Sequence, residues 1–124
     1  MKRFFLVFIT LSLLAAGYAA VYSKEAAKPD TITLTGTIID NMCAGKNRAD
    51  LENFIKTHTK ECALEPPCAG SGYSLYHYGA LIPFDDESNK KIEQFLKKKN
   101  TTLKVSVVVK KAADKYSLIS IKNI

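Results

Sequence analysis

The sequence predicts a mainly β domain, a five-stranded barrel with helices. Two observations carry this: apolar residues recur at every second position in several stretches, and two helix-period stretches sit after the first strand and before the fourth. From Thr31, "TITLTGTIID" sets Ile32, Leu34 and Ile38 on one face and Thr33, Thr35 and Thr37 on the other, the period of a half-buried strand. Gly36 interrupts the apolar face, as at a bulge or sharp bend. "NRADLENFIKTH" then places Leu51, Phe54, Ile55 and His58 at helical spacing, with Asn47 available as a cap and His58 on the apolar face.

After a break at Pro66-Pro67, "GYSLYHY" and "ALIPF" flank Gly79 as the two strands of a hairpin. "DESNKKIEQFLKKK" carries Ile92, Phe95 and Leu96 as the stripe of a second helix. "TLKVSVVVK" alternates Leu103, Val105, Val107 and Val109, a turn falls at Ala112 to Asp114, and "KYSLISIKN" is the last strand. Five strands with a helix between the third and fourth follow the order of an OB-fold, a small Greek-key barrel, here with a helical Cys/His insertion after strand 1. An unclosed α+β sandwich is the alternative.

Residues 31–124 make this one domain, since about 100 residues bury one core and not two. Residues 24–30, "KEAAKPD", read as a linker. Residues 1–23 read as an export signal: Lys2 and Arg3 precede an uncharged run from Phe4 to Ser23, and Gly17 and Ala19 lie at the spacing of a cleavage site. The same run is long enough for an N-terminal membrane anchor. The expected location is periplasmic or otherwise extracytoplasmic, free or anchored in the inner membrane.

The formal charge of +6 falls to +4 once Lys2 and Arg3 are removed. The late lysines, including Lys97 to Lys99, form either a solvated helix face or a surface for an anionic partner. Export argues against nucleic acid.

All three cysteines and one of the two histidines lie between residues 43 and 68. His58 and Cys62 have the close spacing of half a zinc site, and Cys43 and Cys68 complete a candidate Cys3His set for zinc or a similar ion. Two other readings stand beside it: one disulfide with a spare cysteine, as an oxidising compartment favours, and redox-active thiols. The stretch "GTIIDNMC", with Gly36, Asp40 and Cys43, then His58, Cys62, Cys68 and "GSGY", resembles small exported bacterial OB-like proteins of uncharacterised function. The resemblance implies the fold and export, and no activity.

No enzyme is expected. Cys43 with His58 is the one nucleophile-and-base pair, with Asp40 as an orienting group, and no hydrolase signature surrounds them. Cys-x-x-Cys, Cys-x-x-Cys-His and a phosphate loop are all missing. Tyr76 and Tyr78, on one face of the "YSLYHYG" strand, are candidate stacking residues for an anionic glycan or lipid head group, with strand packing as the plainer role.

Overall fold

The computed structural model describes residues 30–124. The expected export signal or anchor and all but the last residue of the linker lie outside the described residues. Among the described residues no helix is long and apolar enough to cross a membrane.

Strands β1 (Thr31–Asp40), β2 (Tyr73–His77), β3 (Ala80–Pro83), β4 (Lys104–Ala112) and β5 (Lys115–Asn123) form one antiparallel sheet in the order β3-β2-β1-β4-β5. The alternation read from the sequence is visible in the packing: Val105, Val107 and Val109 of β4 are buried, as are Ile38, Leu75 and Leu118. Ile32, at the start of β1, is exposed, so the apolar face of that strand is covered only towards its end.

β1 serves two ladders. Residues Thr31 to Thr37 pair with β4, and Thr37 to Asp40 pair with β2. Gly36 sits at the change-over. A Cβ there would lie 2.2 Å from the carbonyl oxygen of Tyr76, so only glycine lets β2 approach so closely. The register runs through Gly36 without a shift, so the glycine serves a close approach of backbones and not the expected bulge, which lies instead between Val108 and Val109.

β2 and β3 are joined by the two-residue turn Tyr78-Gly79, with φ of 44° and 86°. Positive φ at both positions matches the twist of a tight hairpin. The sheet is not closed. Its two edge strands meet at one parallel bridge, Phe84 to Tyr116, where Asp85 N–H donates to Tyr116 O at 3.0 Å.

The helix expected before β4 is present, with Ile92 and Leu96 buried and Phe95 half-buried. It follows the four short helices of the insertion and is labelled α5 (Asp86–Lys97). Asp85 caps it by accepting from Ser88 N–H at 2.9 Å. Leu118 N–H donates to the buried Ser88 Oγ at 2.7 Å, which ties the helix to β5.

Between β1 and β2 the single expected helix is replaced by α1 (Asn41–Lys46), a 3-10 turn (Arg48–Asp50), α2 (Leu51–Thr57), α3 (Lys60–Ala63) and α4 (Pro66–Gly70). Local capping explains the divisions. Asn47 does not start α2; its side chain donates to Cys43 O at 2.9 Å and so closes α1. Pro66 and Pro67 open α4 rather than break the chain, because a helix's first N–H groups have no partner to lose. Gly72, at φ 79°, then turns the chain into β2, and its carbonyl accepts from Asn41 N–H at 2.9 Å.

Candidate metal centre

Asp40 ends β1 with its side chain wholly buried. Its Oδ1 accepts from Cys43 N–H at 2.8 Å, the usual bond of an N-cap residue, and this fixes where Cys43 leaves the first turn of α1. Cys43 therefore sits directly above the strand end because the sequence is Asp-x-x-Cys.

His58 does not ride on a helix face, as its spacing had indicated. It stands one residue past α2 in extended backbone, φ −66° and ψ 134°, with its N–H still donating to Phe54 O. That reversal turns the imidazole inward, against the ring of Phe54 at 5.3 Å between centroids. The side chain is wholly buried, and Nε2 comes 3.0 Å from Asp40 Oδ2. The approach lacks hydrogen-bond alignment, so Asp40 Oδ2 and both His58 nitrogens are buried with no hydrogen-bond partner.

Thr59 restarts the chain as the cap of α3, accepting from Cys62 N–H at 3.1 Å. The short helix α3 then brings Cys62 back to Cys43 and His58. Cys68 lies buried in α4. Ser71 locks this corner, its hydroxyl donating to Cys68 O at 2.6 Å and accepting from Met42 N–H at 3.0 Å.

The cysteines are free thiols and no disulfide is formed among the described residues. Cys43, His58 and Cys62 bring one donor atom each to within 4.8 Å of one another, and Asp40, Cys43 and Cys68 do the same. This differs from the expected convergence of Cys43, His58, Cys62 and Cys68 on one point. Cys68 groups with the strand end because α4 packs beside α1, while His58 and Cys62 reach Cys43 from the other turn of the insertion. Asp40 is the donor that sequence reasoning left aside, having read it only as an orienting group. The signal for it was the three-residue spacing to Cys43, which makes a capping carboxylate and a thiol neighbours.

Burial, and then the Asp40 carboxylate, push the Cys43 thiol up to about 12, and the same two causes raise Cys68. Without a cation these sulfurs hold their protons at neutral pH. A bound cation would reverse that preference, since thiolate is the ligand form. The three thiols, one imidazole and one carboxylate suit a borderline-soft divalent ion such as zinc.

Tyr76 is half-buried in β2, whereas Tyr78 belongs to the hairpin turn and is almost fully exposed. The two border a shallow hollow of about 460 Å3 together with Glu52, whose carboxylate would repel an anion. A larger cavity, about 600 Å3, lies beside α2 and α3 and carries three lysines, Lys56, Lys60 and Lys104, against one carboxylate, Glu61. Of the expected lysines, Lys97 pairs with Glu93 at 2.7 Å on the exposed face of α5, and Lys98 and Lys99 are exposed beyond it.

Compared with family models, curated proteins and solved structures, the chain matches none of them.

Proposed function

We propose that this chain is a small exported binding module, an OB-like barrel whose inserted segment holds a zinc-like ion through Cys43, His58 and Cys62, and that it works by binding rather than by catalysis. The observation that carries the reading is the coincidence of free thiols with buried polar atoms that make no hydrogen bond: Asp40 Oδ2 and His58 Nε2, which face each other at 3.0 Å, and His58 Nδ1. A buried polar group left unpaired costs about 1–3 kcal/mol, so His58 Nδ1 in particular calls for a partner. A disulfide would consume two sulfurs and leave the histidine unsatisfied; a cation serves both kinds of donor. The strand order, the sharing of β1 between two ladders and the Phe84–Tyr116 bridge support the OB-like part. The charged and apolar segments of residues 1–23 support export, and the resemblance to small exported bacterial OB-like proteins belongs to the same reading.

The test is elemental analysis of the purified full-length chain, with its melting temperature before and after chelation. The expected result is bound zinc and a fall on the order of 10 °C on stripping. A protein with no metal and one reactive thiol before reduction would sink the reading, because two cysteines would then be in a disulfide.

A second reading, binding of an anionic glycan or lipid head group, is favoured by the cavity holding Lys56, Lys60 and Lys104 rather than by Tyr76 and Tyr78. It predicts retention on polyanions that weakens with salt and is lost in the doubly substituted Lys56→Ala, Lys104→Ala chain.

A further inference from the structure

Five donors, Asp40, Cys43, His58, Cys62 and Cys68, are one more than a tetrahedral ion accepts. They are not five around one point. They fall into two groups of three, each within 4.8 Å, and Cys43 is the member both contain. We infer that the centre takes two zinc-like divalent ions with the Cys43 thiolate shared between them, one ion completed by His58 and Cys62 and the other by Asp40 and Cys68. This rests on the metal-binding reading proposed above and specifies its capacity.

Charge points the same way. Once bound cations have displaced the thiol protons, three thiolates and one carboxylate bring four negative charges, which two divalent ions neutralise. One ion held by Cys43, Cys62 and His58 would neutralise only its own ligands. The wholly buried Asp40 carboxylate would then face Cys68 with no cation, and the one ion-pair partner Asp40 has among the described residues is His58 itself. Buried charge without a counter-charge is costly, whereas a second cation beside Asp40 and Cys68 removes the deficit. A thiolate sulfur has the lone pairs to serve two soft-accepting ions, and the Asp40 cap holds Cys43, the residue common to both groups, at the end of β1. Each group supplies three protein ligands, so each ion keeps one position for water or for a ligand from outside.

The experiment is a zinc titration of the metal-free, reduced, full-length chain against a competing chromophoric chelator, with native mass spectrometry of the loaded protein. The wild type should bind two ions per chain. Cys62→Ser and Cys68→Ser should each bind one, and Cys43→Ser should lose both high-affinity ions. A wild type that saturates at one ion, or a Cys68→Ser chain that still binds two, overturns the shared-thiolate centre while leaving metal binding itself intact. A wild type that binds none overturns the metal-binding reading as well. The wild-type mass spectrum decides the capacity even where a serine variant fails to fold.

Discussion

The sheet with α5 and the insertion between β1 and β2 are held in order by different means. In the first region long ladders, a twelve-residue helix and a continuous apolar core do the work, and the buried Ser88 has a partner; Asp40, at the end of β1 where the insertion begins, is the buried residue of the sheet with an oxygen that makes no hydrogen bond. In the insertion no helix exceeds seven residues, and its buried residues are Ala44, Ala63 and Cys68. Helices so short are marginal in isolation, and the few buried atoms here include the two nitrogens of His58, which make no hydrogen bond. The difference teaches that the sheet and α5 supply most of the apolar core, while the insertion joins it only through Ala63, Leu64 and Ala69 and keeps its Cys/His cluster beside the end of β1.

The largest effect should come from the sheet. Gly36→Ala drives a Cβ into the Tyr76 carbonyl and must part β1 from β2, which should cost about 3 kcal/mol or more in denaturant unfolding. The loss should be the same with and without zinc. A loss that zinc abolished would mean that the two regions are not separately stabilised.

Chelation should act on the other side of the comparison. In hydrogen exchange of the full-length chain, amides within residues 41–71 should exchange about tenfold faster after metal removal, while those of β4 and β5 change little. Equal acceleration in both regions would break the distinction.

A smaller effect separates α5 from the insertion by pH. The Asp85 carboxyl is held below its ordinary value, first by the Ser117 hydroxyl and then by Ser88. Its contribution to stability is therefore complete above the ordinary carboxylate range and is lost as pH falls through the lower folded value. Asp85→Ala should cost about 1 kcal/mol at neutral pH, and the gap to wild type should shrink in acid. A gap that widened as pH fell would contradict this assignment.

The strands and α5 were legible because burial on one side imposes a period, and the period survives in Val105, Val107 and Val109 and in Ile92 and Leu96. The insertion was not, because its turns are set by single caps rather than by repetition. Asn47 closes one helix where a helical stripe made it look like the opening of the next, and His58 left the stripe altogether when Thr59 began a new cap. The participation of Cys43, His58, Cys62 and Cys68 in one cluster could be read from their types and spacing. Their division into two groups could not, since it depends on α4 returning beside the strand end. Asp40 was read as a group that orients His58 and not as a donor, because its burial beside Cys68 depends on the same return of α4.

Tyr73 ties the two regions together optically. Its ring is buried in the core of β2, and its hydroxyl donates to Ala63 O of the insertion at 2.9 Å. Burial raises this phenol above the ordinary tyrosine range. In a chain without tryptophan the tyrosines dominate the near-ultraviolet spectrum. One late-ionising phenol bonded to the end of α3 gives the ultraviolet spectrum a signal from the joint between the two regions.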